Sequence, residues 1–550
     1  METITFTQSN YITHYNAIQV SLPMDIGTII DPNDPVVSFL KVMEGVNCSK
    51  YIKNINYRGR KGYDKGMLLR IILFAYMIGE RHLRTIETLC KYDIRFMLLA
   101  DHHQPSHMVF QRFMNNSLKA NIDDIFFDVS KKIGTMMDIN ESIAYIDGTK
   151  IEAYANKYSF VYKTRILNAR TKMFFNITED IIKMNIERGF NFEYKYMYCA
   201  QEIGYIAQYL MDTMVNENIE AVYGKGKRKS AIQRWYDTFI SYYRKFEEYE
   251  FWLYIIGNER NSCSKTDFDA TMCATKMDYY CNTGLSRPCY NAQIAVSDGI
   301  IVNADLFQCP GDPKTFIPFM ERFNEFRGYY PQHPMADAAY GTYDNYMYCI
   351  THGVDLVMKY NMYAKKNETK FKKNIYNPLN WKSDDKGNKI CPMGHVFDEY
   401  IGEKYDESGE YLKISQRYTS KNTCKGCPHR EECYKGKGES KTVSRNAVLN
   451  EFYAVVDENL SSEFGKELKK QRSIQAEGAL GVIKEDMNFT RFTRRGLSNA
   501  KMEFLLVCLG YNFKKYHKNR IREKKKQTAD KLVKRKENAM KSHIEKSESG

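Results

Sequence analysis

The sequence predicts an α/β body preceded by a helical domain and interrupted by two insertions. Three observations carry that prediction. Apolar residues recur three and four apart between Asp64 and Asn116, short apolar runs and alternation begin at Ile143, and the stretch to Tyr360 then reads strand, strand, strand, helix, strand, helix, strand once a helical interruption is set aside.

Residues 1–60 show little periodicity. Within 61–138, Asp64–Gly79, Arg84–Lys91, Ile94–Ala100 and Ser106–Asn116 read as short helices resembling a helix-turn-helix unit, a frequent DNA-docking module, although the same pattern describes any small helical domain. SIAYIDGTKIEAYA, from Ser142, reads as a strand ending near Asp147 and an alternating segment. Residues 164–256 return to helical periodicity as an insertion. Strands are expected at Tyr290–Val296, at Ile300–Leu306, ending at Met335–Ala336, and at Val354–Tyr360, with helices near Pro313–Phe326 and after Gly341. Residues 361–445 form a Lys-rich, Cys-rich insertion. Helices Asn446–Asn459 and Ser461–Asp486 and an apolar helix near Met502–Phe513 complete a body made of 139–163, 257–360 and 446–513.

Composition bounds the function. With 43% apolar residues and 32 Gly in 550, the chain is neither disordered nor collagen-like. Its longest apolar stretch, Met67–Gly79, contains Arg70 and is shorter than the ~18–20 residues a bilayer span needs, so no membrane partner is expected. The opening METITFTQSNYITHYN has neither a basic nor an apolar leader region, which makes a reducing cytoplasm the expectation. Net charge is +14, of which +9 lies in 514–550, a basic tail suited to polyanions or to solubility alone.

Three acids sit where a purely structural carboxylate is uncommon. Asp147 and Asp337 close apolar strands and have small neighbours, and strand ends are where α/β sheets present active groups. Glu477 lies in the helix RSIQAEGALGVIK, sharing a face with Gly481 and Lys484 if that helix is regular. Carboxylates are hard ligands for Mg²⁺ or Mn²⁺, and two such ions about 3.5–4 Å apart drive in-line displacement at phosphorus. Helix capping or pairing with a nearby cation is the plainer fate of an isolated acid.

Four ordered blocks decide between these. DGTKIEAYANKY, SKTDFDATM with PCYNAQIAV, ADAAYGTYDNY and RSIQAEGALGVIKEDMNFTRFTRRG resemble the successive blocks of a bacterial insertion-sequence DDE transposase, and RTIETLCKYDIRFMLLADHHQPSHMVFQRFM resembles a block of its N-terminal domain. The similarity spans roughly residues 60–515. It implies an RNase H-like catalytic domain whose metal-binding triad is Asp147, Asp337 and Glu477, with two Mg²⁺ or Mn²⁺ ions. It also implies double-stranded DNA as partner (element ends and target), a dimer on DNA, and association with the nucleoid during action. Lys484 matches a family Lys seven residues after the Glu. An Arg four residues before the Glu is not matched: that position is Ser473 and the nearest arginine is Arg472. Glu152, Asp305, Asp344 and Glu485 are weaker candidates, expected on solvated faces or in ion pairs.

Arg491, Arg494 and Arg495 follow the Glu477 helix and are expected to hold phosphates near the metals. Lys365, Lys366, Lys370, Lys372 and Lys373 suit either the DNA backbone or solvent, and Asn291 and Gln293 suit either bases or strand-edge groups. Cys391, Cys424, Cys427 and Cys433, two of them in a Cys-x-x-Cys knuckle and with His395 and His429 as substitutes, suit tetrahedral Zn²⁺. Reduced thiols and an iron–sulfur cluster are the alternatives. Cys263, Cys273, Cys281 and Cys289 are too widely spaced for a knuckle. The expected activity is cleavage and strand transfer of DNA; the competing readings are a catalytically inactive DNA-binding descendant and a nuclease without strand transfer. A tyrosine recombinase is excluded because no Tyr follows Tyr516, and single-strand nicking by a His-x-His pair because the pair is absent.

Overall fold

A computed structural model describes residues 4–8, 11–15, 30–47, 50–52, 62–224, 226–275, 285–421 and 424–548. Cys281 and 29 residues of the 1–60 segment lie outside them. The chain divides into two compact units, residues 1–121 with 512–550 and residues 122–511. The sequence-based division set 61–138 apart from the tail 514–550; the tail belongs to the same unit as the N-terminal helices.

In the first unit, strands β1 (Ile4–Gln8) and β2 (Tyr11–Tyr15) pair antiparallel. Helix Pro35–Met43 starts on an Asp34 cap with proline at its first position, and helix Lys65–Ile78 starts on an Asp64 cap and stops at left-handed Gly79. Short helices Leu83–Tyr92, Ile94–Leu99 and His107–Phe113 follow. The core is aromatic: Phe39 lies 5.5 Å from Phe74 and 4.8 Å from Phe513, and Phe74 lies 5.3 Å from Phe96. The apolar stretch near 502–513 and the basic tail form one 52-residue helix, Leu497–Glu548, and residues 522–535 of it are exposed throughout.

The second unit is built on a mixed sheet. Strand β3 (Ile143–Glu152) lies between β7 (Ser286–Ser297), antiparallel, and β9 (His333–Met335), parallel. The far edge of β7 is shared by β6 (Thr271–Ala274) and β8 (Ile300–Phe307). A two-residue turn joins β7 to β8: Asp298 and Gly299 have φ of +46° and +83°, the left-handed pair such hairpins need. The short pair β4 (Phe160–Tyr162) and β5 (Ser262–Ser264) frames a bundle of helices Lys163–Arg188, Ala200–Asn216 and Ala231–Ile256, packed through Ile177, Ile181, Leu210 and Phe239. Residues 361–445 carry two small sheets: β10 (Lys382–Ser383), β11 (Lys389–Ile390) and β12 (Val396–Phe397), then β13 (Glu399–Asp406), β14 (Lys413–Thr419) and β15 (Val443–Arg445).

Two expectations need correction. Val354–Tyr360 is not a strand. It is buried, but its ladder reduces to one bridge, Gly341 to Tyr360, where Gly341 lets the Lys359 carbonyl approach. The helix expected over Ser461–Asp486 is present from Glu463 but not regular: Glu463–Arg472 continues through a π turn at Ser473–Glu477, a short α segment Gly478–Gly481 and a second π turn at Val482–Asp486. No helix among the described residues is long and apolar enough to cross a membrane.

Candidate active site

β3 does not end at Asp147; it continues to Glu152, so the aspartate sits in mid-strand. What ends there is its parallel partner. Register sets Tyr145 opposite Met335, the last residue of β9. Two residues further along each chain stand Asp147, still within β3, and Asp337, just past the end of β9, so the pairing leaves the two acids on adjacent segments, close enough for the Asp337 charge to act on the Asp147 carboxyl. Asp147 Oδ1 accepts the Gly148 N–H at 2.9 Å, and Asp337 Oδ1 accepts the Ala339 N–H at 2.8 Å.

Glu477 reaches the pair through Arg472. In an α-helix, residues five apart point about 140° away from each other; a π turn's longer repeat brings them onto one line. The π turn at Ser473–Glu477 does this for Arg472 and Glu477. Arg472 Nη2 lies 2.6 Å from Glu477 Oε1, and its Nη1 lies 3.8 Å from Asp147 Oδ2. The one-residue mismatch with the family spacing is therefore absorbed by helix geometry. The turn is pinned to the sheet, since the Gly299 N–H donates to Gln475 Oε1 at 2.5 Å. The second π turn carries Lys484, whose ammonium donates to Thr149 Oγ1, on the same face of β3 as Asp147.

Electrostatics marks the same spot. Burial pushes the Asp147 carboxyl up to about 6; the Arg472 guanidinium and the Gly148 N–H oppose the rise, and the charges of Asp337 and Glu477 add to it. Lys359, which sequence reasoning missed, belongs to this neighbourhood. Burial and the charges of Arg472 and Lys469 push its ammonium down, against the pull of Asp337 and Glu477. A lysine in an extended segment has no periodic signal, so only the fold reveals it. The oxygens suit a hard divalent cation, which would relieve the anionic crowding around Asp147. Among the described residues, however, no three His, Cys, Asp or Glu side chains are already gathered as an ion would require, and Arg472 stands between two of the acids.

Other candidates lie elsewhere. Glu152 pairs with Arg287 at 2.9 Å and with Arg491 at 3.5 Å, and Asp305 pairs with Lys501 at 3.0 Å. Asp344 accepts the Tyr411 N–H at 3.1 Å. Arg491 and Arg495 pack over Tyr154, and Arg495 Nε donates to the Tyr154 carbonyl at 3.1 Å. These contacts are five or more residues along β3 and its extension from Asp147, roughly 17 Å or more at strand rise, and Arg494 follows in the same loop. Asn291 and Gln293 are buried in β7 and cannot face bases. Lys366 pairs with Asp457 at 2.5 Å, while Lys370, Lys372 and Lys373 are exposed.

The candidate sulfur ligands share one lobe, although among the described residues no three of them are gathered closely enough to hold an ion. Cys391, Cys424, Cys427 and Cys433, with His395 and His429, line one cavity of about 30 Å³. Turns hold two of the thiols, Gly394 N–H donating to the Cys391 carbonyl at 2.9 Å and Cys427 N–H to the Cys424 carbonyl at 3.3 Å. Cys273 and Cys289 are buried in the main sheet, away from this lobe.

Comparison with known families covers two stretches of the chain. Residues 390–517, which include Glu477, Arg472 and Lys484, match the family model described as a transposase DDE domain. Residues 24–116 match that of a transposase domain (DUF772). Together the two matches support an insertion-sequence DDE transposase. No curated protein matches it.

Proposed function

We propose that this transposase binds the ends of its own insertion sequence, cuts them in a divalent-metal-dependent reaction and joins the 3′ ends to target DNA, using an RNase H-like body. Asp147, Asp337 and Glu477 would hold Mg²⁺ or Mn²⁺. The observation that carries the reading is the Tyr145–Met335 pairing, with Asp147 and Asp337 each two residues beyond it, together with Arg472 lying between Asp147 and Glu477. Bound cations would supply the charge that activates a water or 3′-hydroxyl and stabilises the departing oxygen.

The protein's own groups have separate tasks. Arg472, released from Glu477, is in position to take a phosphate oxygen bidentately. Lys484, oriented by Thr149, and Lys359 add positive charge beside the acids and suit the flanking phosphodiesters. The exposed basic stretch of the Leu497–Glu548 helix suits sequence-independent contact with the DNA backbone, and joining two ends in one event favours a dimer on DNA. The thiol lobe is read as a structural Zn²⁺ site. Metal analysis of protein purified without chelator should find about one zinc per chain, lost in Cys427→Ser; iron with visible absorbance, or no metal, would overturn that reading.

The test of the main proposal incubates the full chain with candidate inverted-repeat ends and Mg²⁺, beside Asp337→Ala. Cleavage with joining by the wild type alone supports the proposal. Binding without cleavage identifies an inactive DNA-binding descendant, hydrolysis without joining identifies a nuclease, and activity surviving in Asp337→Ala removes that residue from the mechanism.

A further inference from the structure

Behind the acids lies a buried polar network with no part in the site as described so far. Lys150 Nζ donates to Asp312 Oδ1 at 2.6 Å, and Asn291 Nδ2 donates to the same oxygen at 2.9 Å. Gln293 Nε2 donates to Asn291 Oδ1 at 2.9 Å and to Asp312 Oδ1 at 3.2 Å, which fixes its amide so that Oε1 accepts the Tyr340 hydroxyl at 2.5 Å. Gln293, Asn291 and Tyr340 are all at most 1% exposed. Three of the four sequence blocks meet here, joined by Asp312 from outside them.

Both aspartates are tied to this one amide. Gln293 is the cross-strand partner of Gly148, the residue after Asp147, and a Cβ at Gly148 would fall on the Gln293 amide. Tyr340 closes the turn that starts at Asp337, its N–H donating to the Asp337 carbonyl at 3.3 Å. The other end of that turn is fastened by Asn345, whose Nδ2 donates to the Tyr340 carbonyl at 2.7 Å. Beyond Met335 no ladder hydrogen bond joins the two aspartate-bearing segments, because β9 has ended. The Gln293–Tyr340 bond spans that gap.

We propose that Gln293 is a positioning residue: anchored by Asp312 and Lys150, it sets the separation of Asp147 and Asp337 by holding the Asp337–Tyr340 turn against the Gly148 backbone. The inference rests on the reading of those aspartates as metal ligands. A site whose ligands must hold within about 0.5 Å needs such support, and side chains behind ligands commonly alter metal affinity 10–100-fold.

Mn²⁺ titration of the full chain, followed by electron paramagnetic resonance, tests this without requiring activity. Tyr340→Phe removes one hydroxyl, Gln293→Met removes the amide at similar length, and the double variant removes both ends of the Gln293–Tyr340 bond; since Asn291 Oδ1 loses its Gln293 donor in Gln293→Met and in the double variant alike, the double should regain only the thermal stability that Gln293→Met loses by stranding the Tyr340 hydroxyl. Expected are a 10-fold or greater weakening of Mn²⁺ binding in both single variants and no recovery of affinity in the double variant despite recovered stability. Affinity that recovers with stability, or that stays within twofold of wild type in Tyr340→Phe, overturns the positioning role. A wild-type chain that binds no Mn²⁺ overturns the metal site itself, and with it this proposal.

Discussion

Replacing Asp147 by asparagine should stabilise the metal-free protein at pH 7.5. Burial raises this carboxyl from the ordinary 3.8 to about 6, so its charged form is disfavoured in the folded state. At 1.36 kcal/mol for each pH unit, holding it ionised above pH 6 costs about 3 kcal/mol. The side chain is only 18% exposed, so solvent screening leaves most of that. The unit formed by residues 122–511 has about 390 residues, and at about 2.1 cal/mol/K per residue its unfolding entropy is about 0.8 kcal/mol/K, which converts the gain to about 4 °C in Tm. Because the folded value is raised, the carboxyl's contribution is fully favourable below about pH 4 and is lost as pH rises through 6; the Asp147→Asn substitution removes that slope. Differential scanning fluorimetry from pH 5 to 8, with and without 10 mM Mg²⁺ (roughly the range that saturates weak carboxylate sites), reads both effects. Magnesium should raise the Tm of the wild type and leave the variant unchanged. A variant that melts at or below the wild type at pH 7.5 would refute the claim that burial disfavours the charged form of this acid more than Arg472 favours it.

Three further outcomes are expected. Arg472→Ala should lower single-turnover cleavage of end DNA about 100-fold, and Arg472→Lys should not restore it, because one ammonium cannot reproduce a planar group facing Asp147 and Glu477 together. Gly341→Ala should destabilise the second unit by about 1–3 kcal/mol in urea unfolding, since the new methyl meets the Lys359 carbonyl and the Tyr346 hydroxyl. In the first unit, the His107 N–H and ring and the Lys91 ammonium hold Glu87 down at about 2. That contribution is present above about pH 4.5 and is lost as pH falls toward 2, so Glu87→Gln should flatten the acid limb of a circular-dichroism titration.

Much of the site was legible because apolar runs ending in an acid mark strands: Asp147 lies in β3 and Asp337 two residues past the end of β9. That the two segments are neighbours was not legible, since it depends on a three-residue parallel pairing between segments nearly 200 positions apart. Arg472 looked misplaced because a 3.6-residue period hides an inserted residue; only the π turn at Ser473–Glu477 reveals that five positions serve where four were expected. Asn291 and Gln293 looked like surface groups because alternation along β7 does not show that the strand is buried on both faces. Arg491 and Arg495 follow Glu477 closely in sequence, yet the chain turns there toward Glu152 and Tyr154 at the far end of β3. The thiols were readable as a cluster from spacing alone, whereas their closure around one small cavity required the fold of residues 361–445.

Crystals of the full chain soaked in Mn²⁺ offer the most direct measurement. Anomalous scattering should locate an ion between the carboxylates of Asp147 and Asp337, with Arg472 moved off Glu477. Manganese bound only elsewhere, or none at this spot while Arg472 still bridges Asp147 and Glu477, would contradict the account.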